Sequence, residues 1–142
     1  MKQFKYAYSD ADNWSSIAKA LVDGLISGED LGQEDGESLL GFLYVTDTIS
    51  ENTESILSYL RQTTSIDDWI GTTGIGICTN GAEYFDRPAA VAMVAQLPEN
   101  GFSVFPALLD NTEELELETK EWIKNYKAPF GIIHGDPNNQ NS

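Results

Sequence analysis

Apolar and polar positions divide the chain into strand-like and helix-like segments. Near the N-terminus, Phe4, Tyr6 and Tyr8 alternate with Lys5 and Ala7, which predicts a short first strand or an extended arm. Apolar residues then recur at helical spacing and predict a first helix. Its apolar stripe consists of Trp14, Ile17, Ala18, Leu21, Val22 and Leu25.

Capping residues suggest the ends of this helix, and a buried strand follows it. Asp12 or Asn13 is suited to the N-cap, and Gly24 or Gly28 to the C-terminal end. Residues 39–45 form a continuous apolar run, which is typical of a strand buried on both faces.

A second helix follows that strand after a polar turn. Ser50 or Asn52 can cap it, and strand, turn and helix together predict the start of a βαβ unit. The residues expected to face inward are Ile56, Leu57 and Leu60.

The middle of the chain has the pattern of an antiparallel meander. Residues 69–78 are predicted to be extended, and Asn80 with Gly81 gives a strong hairpin signal. Residues 83–85 would return as the partner strand, and residues 89–95 form another apolar run.

The sequence pattern in the last third of the chain predicts two more strands, one on each side of a third helix. Strands are expected at residues 102–105 and 130–133, the helix begins near residues 110–112, and residues 138–142 form a polar tail. We therefore predict a single α/β domain with a mixed sheet, three main helices and a central antiparallel hairpin or meander, with α+β as the alternative. The third helix places Leu115, Thr119, Trp122, Ile123 and Tyr126 on one face.

Charge and composition narrow the possible partners. The 142 residues carry a formal net charge of −15, which argues against binding to nucleic acid or to an anionic membrane surface. The single cysteine excludes an internal disulfide. The chain shows neither a secretory signal nor an apolar run of the ~20 residues that a membrane helix needs, so we expect a cytoplasmic protein.

Glycines concentrate in the segment that contains the candidate binding site. A strand that accepts Gly71, Gly74, Gly76 and Gly81 needs either positive φ angles or space for another backbone or a ligand to approach. Polar residues also follow three apolar runs, and they would meet at one crevice if those strands were parallel. The alternative is that such residues end strands because they make turns. The candidate ligand-binding residues are Asp47, Thr72, Thr73, Gly74, Gly76, His134 and Asp136.

The sequence patterns for nucleophilic catalysis, dinucleotide binding and calcium binding are weaker. Cys78 and His134 could form a nucleophilic pair oriented by Asp136, although a cysteine in an apolar strand is usually a buried, inert packing residue. Thr79 occupies the place of the third glycine of a dinucleotide fingerprint, and the acidic residues 29–37 do not have calcium-loop spacing. We therefore expect no cofactor and no metal.

Three motifs together resemble the N-terminal domain of FIST proteins, which are sensory modules of bacterial and some eukaryotic signalling proteins. They are Gly-Phe-Leu-Tyr-Val-Thr-Asp at 41–47, Trp-Ile-Gly-Thr-Thr-Gly-Ile-Gly-Ile at 69–77, and His-Gly-Asp-Pro at 134–137. The resemblance covers most of the chain from Leu39 onward and implies a FIST N-terminal-like domain over residues 1–137. It also implies intracellular sensing of small molecules such as amino acids, and pairing with a C-terminal FIST domain, so the chain would be a fragment or a stand-alone version.

The first functional hypothesis is therefore a non-enzymatic sensory domain in signal transduction. Its ligand would lie against the glycine-rich backbone, with hydroxyls of Thr72 and Thr73 as hydrogen-bonding groups and Asp47 facing an ammonium group. His134 or Asp136 would hold the other end of the ligand. The alternative is an interaction module that docks a C-terminal domain or a second copy, and a Cys/His hydrolase or transferase is a minor alternative.

Overall fold

The computed structural model of the protein describes residues 4–27, 31, 35–105, 112–126 and 130–135. The strands of this part of the chain are β1 (Lys5–Ser9), β2 (Glu37–Thr46), β3 (Trp69–Gly74), β4 (Gly76–Thr79), β5 (Ala82–Phe85) and β6 (Ala90–Pro98). The α-helices are α1 (Trp14–Ile26), α2 (Thr53–Thr64) and α3 (Thr112–Tyr126), and a 3₁₀ helix, Asp47–Asn52, directly precedes α2. The mixed sheet, three helices and hairpin confirm the predicted α/β class.

The main sheet has four strands in the order β1–β6–β2–β3. β2 and β3 are parallel and are connected through α2, so the predicted βαβ unit is confirmed. β6 lies between β1 and β2 and is antiparallel to both. β2 is thus a central strand with neighbours on both sides, which accounts for its continuous apolar sequence.

Helices α1 and α2 cover one face of this sheet. Asn13 is the N-cap of α1, and its side-chain oxygen accepts a hydrogen bond from the Ser16 N–H at 2.9 Å. The helix continues past Gly24, where a Cβ would lie only 2.6 Å from the Cβ of Ala7, so this glycine allows α1 to approach β1. The core of this face includes Ile17, Leu21 and Leu25 of α1, Ile56 and Leu60 of α2, and Leu43, Val45 and Trp69 of the sheet.

The β4–β5 hairpin covers part of the opposite face. It forms a separate two-stranded sheet whose turn is made by Asn80 and Gly81, and Gly81 has a φ of +87°. Ile77 and Tyr84 of the hairpin pack against Val91 of β6. The predicted hairpin is therefore present, and it lies on the main sheet as a second layer.

Two predicted strands are wrong. Residues 102–105 are irregular, although Phe102 and Val104 pack against the opposite face beside Leu40 and Phe42. This packing accounts for their alternating pattern. The segment does not form a strand, because a segment that lies on a sheet face has no adjacent strand edge with which its backbone can pair. Residues 130–135 are irregular as well, and Ile133 is 88% exposed.

The third helix begins at Thr112, within the predicted range, and ends at Tyr126. Trp122 is half-buried and lies 5.5 Å from the ring of Tyr126, while Ile123 and Tyr126 are about half exposed. Among the helices in the described ranges, none combines the length and the apolar character that a membrane crossing requires.

Candidate functional site

The carboxyl ends of β2 and β3 lie side by side because the two strands are parallel. Thr46 is the cross-strand partner of Gly74, and Asp47 begins the 3₁₀ helix directly afterwards. Asp47 is exposed, and Gly74 is half-buried. Two of the three predicted strand ends therefore meet at one edge of the sheet, as the crevice hypothesis requires.

Thr46 anchors this edge. Its side chain is fully buried, and its hydroxyl accepts a hydrogen bond from the Ala89 N–H at 2.9 Å and donates one to the Arg87 carbonyl at 2.8 Å. The backbone N–H of Thr46 donates to the Ala89 carbonyl at 3.0 Å. These bonds fix the end of β2 to the start of β6, so Asp47 leaves the sheet from a rigid position.

Thr72 and Thr73 do not share a face of the sheet. Side chains alternate along a strand, and the register pairs Thr72 with Tyr44 and Thr73 with Val45. Val45 belongs to the core beneath the helices, whereas Tyr44 packs on the opposite face. Both threonines are exposed, but a ligand bound to one face can contact only one of the two hydroxyls.

His134 lies against the same face as Tyr44. Its Nε2 and the Tyr44 Oη share a hydrogen bond of 3.1 Å, and the two rings meet edge to face at 5.6 Å. Thr72 is the cross-strand partner of Tyr44 on β3, and its hydroxyl donates a hydrogen bond to the Thr73 carbonyl at 3.3 Å. We refer to Tyr44, Thr72 and His134 as the Tyr44 cluster.

Tyr44 is the site residue that the sequence did not single out. It lies within an apolar run, where a tyrosine is usually interpreted as core, and its polar hydroxyl is the only signal in that run. Asp136, the other predicted residue beside His134, lies outside the described residues.

The glycines of this region are in close contact with neighbouring parts of the same chain. A Cβ at Gly71 would lie 1.7 Å from the Leu43 carbonyl oxygen, and one at Gly76 would lie 2.1 Å from the Phe85 ring. A Cβ at Gly74 would be 3.0 Å from the Gly76 carbonyl oxygen. The close approach that these glycines permit is thus made by β2 and by the hairpin.

Cys78 is exposed on β4, so its expected burial is wrong. Its cross-strand partner is Glu83, and among the described residues no hydrogen bond links it to His134. These residues also contain no group of three or more His, Cys, Asp or Glu side chains that could hold a metal ion.

A second polar group lies where the hairpin meets β1. Arg87 forms an ion pair with Asp10 at 3.1 Å and lies over the Tyr84 ring at 5.1 Å. Burial raises the pKa of Tyr84 above its ordinary 10.0, with further contributions from Asp10 and Tyr8, while Arg87 acts in the opposite direction. Asn80 donates a hydrogen bond to the Tyr6 hydroxyl at 3.3 Å, so these contacts hold the hairpin on the sheet.

No model of a known protein family matches the chain, and no curated protein is similar to it. The resemblance to FIST N-terminal domains stays a prediction that rests on the three motifs quoted above.

Proposed function

We propose that this chain is a non-enzymatic intracellular sensory domain that binds a small zwitterionic or cationic molecule, such as an amino acid, at the Tyr44 cluster. The observation that carries the proposal is the 3.1 Å hydrogen bond between Tyr44 and His134 beside Thr72, on the carboxyl-terminal half of a parallel strand pair. The FIST resemblance leads to the same class of function.

The chemistry of the cluster suits a small polar ligand. A phenol, an imidazole and a threonine hydroxyl can each donate or accept a hydrogen bond, so they can bind a carboxylate or an amide. Asp47 lies at the same edge of the sheet and supplies a negative charge for an ammonium group. The net charge of −15 favours ligands that carry a positive charge.

The first experiment is a thermal-shift screen of the amino acids, because a ligand that binds only the native state raises the melting temperature. At a ligand concentration of about 100 times Kd, native-state binding contributes about 2.7 kcal/mol, which is a shift of several degrees for a domain of this size. A flat response across the set would contradict the ligand class.

A pair of neighbouring variants then locates the site. Thr72→Val removes the hydroxyl beside Tyr44, and Thr73→Val removes the adjacent hydroxyl on the other face. We expect Thr72→Val to weaken binding about tenfold, as the loss of one hydrogen bond to a bound ligand does, and Thr73→Val to leave it nearly unchanged. Equal effects of the two substitutions, measured by titration calorimetry, would contradict binding at the Tyr44 cluster.

A second candidate function is the docking of another domain or a second copy along β3. β3 is an edge strand of the main sheet, and its sequence, Trp-Ile-Gly-Thr-Thr-Gly, contains no charge that would discourage strand pairing. Ile75 follows it directly and is 75% exposed. This function and ligand binding are compatible, because strand pairing uses the backbone of β3 and the Tyr44 cluster uses side chains.

A further inference from the structure

A shallow depression lies on the helix layer, on the side of the sheet opposite the Tyr44 cluster. It has a volume of about 320 Å³ and is open to solvent. One residue of α1 and five residues of α2 line it: Trp14, Glu54, Ser55, Ser58, Tyr59 and Gln62.

The local sequence explains how the depression forms. Glu54, Ser58 and Gln62 recur at intervals of four, so they form one row along the surface of α2. The Asn13 cap fixes the first turn of α1, and Trp14 in that turn is half-buried against the core. The two helices pack together, which brings the indole to the polar row of α2.

The side chains of the depression have a chemistry that the proposed sensory site does not use. Trp14 and Tyr59 are the two aromatic residues of the lining, and Tyr59 is 37% exposed. Aromatic faces attract organic cations through the ring quadrupole. Glu54 adds a carboxylate, and within the described part of the chain no lysine or arginine forms an ion pair with it.

We infer that this depression binds a small organic cation with a methylated ammonium group. The methyl groups contact Trp14 and Tyr59, and Glu54 provides the counter-charge. A chain with a net charge of −15 concentrates cations at its surface and repels anions, which disfavours phosphate-bearing ligands. A neutral saccharide would use the aromatic rings without needing the carboxylate, so charge is the property to test.

The experiment follows backbone amide shifts of the full chain by NMR during titration with choline. The matched ligand control is 3,3-dimethylbutan-1-ol, which has the shape of choline without its charge, and sodium chloride controls for ionic strength. We expect saturable shifts confined to the start of α1 and to residues 54–62, and binding of the neutral compound at least about threefold weaker.

Two pairs of variants test the lining residues. Tyr59→Leu and Glu54→Gln are each expected to weaken choline binding about threefold or more. Their controls, Tyr126→Leu and Glu51→Gln, change an exposed tyrosine and an exposed acid outside the depression and should leave binding unchanged. All four positions are on the surface, so each variant should fold, which circular dichroism checks.

Three results would overturn the inference. They are shifts that spread over the acidic surface and match those caused by sodium chloride, equal affinity for choline and its neutral analogue, or equal effects of the lining and control variants. Loss of choline binding in Tyr59→Leu with an intact amino-acid response would separate this depression from the Tyr44 cluster.

Discussion

Gly41 of β2 and Trp69 of β3 are cross-strand partners on the helix-facing side of the sheet. The indole occupies the space where a side chain at position 41 would lie, because a Cβ there would be 2.2 Å from the ring. The ring is buried, and its N–H donates a hydrogen bond to the Ile66 carbonyl at 2.9 Å. Glycine is therefore required at position 41, because the buried Trp69 indole already fills the space of a side chain there.

A substitution at Gly41 tests this contact. Gly41→Ala should lower the free energy of unfolding by about 1–3 kcal/mol, because the buried indole must move and lose its packing. Gly131→Ala is the control, since a Cβ at Gly131 meets nothing within 4 Å and should change stability by less than about 0.5 kcal/mol. Urea unfolding measures both, and equal midpoints would contradict the predicted overlap.

Tyr84 gives a prediction about alkaline pH. Its pKa is raised in the folded protein, with burial as the main cause. Above about pH 10 the unfolded phenol loses its proton while the folded phenol keeps it, so stability falls as pH rises through this range. Below that range both states are protonated, and Tyr84 contributes no pH dependence.

Tyr84→Phe isolates this effect from the other titrating groups. The variant should lose less stability than the parent protein between about pH 9 and about pH 11, as measured by urea midpoints. Tyr126→Phe is the control for removal of a phenol hydroxyl, because it changes a half-exposed tyrosine. Parallel pH profiles for the parent and Tyr84→Phe would show that burial does not shift this phenol.

At the scale of secondary-structure elements, the segment 130–135 depends on a single described side-chain bond. The segment is irregular, and Phe130, Ile132 and Ile133 are all more than half exposed. The hydrogen bond between His134 and Tyr44 links it to β2. The position of the segment should therefore be sensitive to one hydroxyl group.

Tyr44→Phe tests this link, because it removes the hydroxyl and keeps the packed ring. We expect faster cleavage by chymotrypsin after Phe130 and a decrease of about 0.5–1.5 kcal/mol in global stability. Tyr8→Phe removes a hydroxyl from an edge strand and should leave cleavage at Phe130 unchanged. An unaltered cleavage rate in Tyr44→Phe would mean that other contacts hold the segment.

Elements with a local signal could be predicted from the sequence, and elements defined by distant partners could not. The stripe from Ile17 to Leu25 is sufficient for α1, and Asn80 with Gly81 is sufficient for the hairpin. The alternation at residues 102–105 matches a strand equally well, but a strand also needs a free neighbour for its backbone.

Prediction of the candidate site is limited in the same way, because its residues are brought together by distant parts of the chain. The ends of β2 and β3 meet only if the two strands are parallel, and the observed parallel pairing brings them together. The sequence could not assign Thr72 and Thr73 to opposite faces until the register of β3 was known. Tyr44 was missed because its partner His134 is 90 residues away along the chain.

At the scale of the whole molecule, net charge and sheet topology have opposite effects on self-association. Each copy carries a net charge of −15, so copies repel one another over a screening length of about 10 Å at 0.1 M salt. The two edges of the main sheet differ in their own charge, since β1 contains Lys5 and β3 has none. An uncharged edge on a highly charged protein can associate when salt screens the repulsion.

We therefore expect self-association to increase with salt and to involve β3. Sedimentation equilibrium should give the monomer mass of 15.6 kDa in about 50 mM NaCl and a higher average mass in about 500 mM NaCl. Hydrogen exchange under the second condition should slow at β3 amides, with β1 amides as the internal control.

A mass that does not respond to salt would remove the second copy as a partner, and equal protection of β1 and β3 would indicate non-specific association. Protection confined to β3 would identify this strand as the edge along which another chain pairs, because strand pairing places its free backbone amides in new hydrogen bonds.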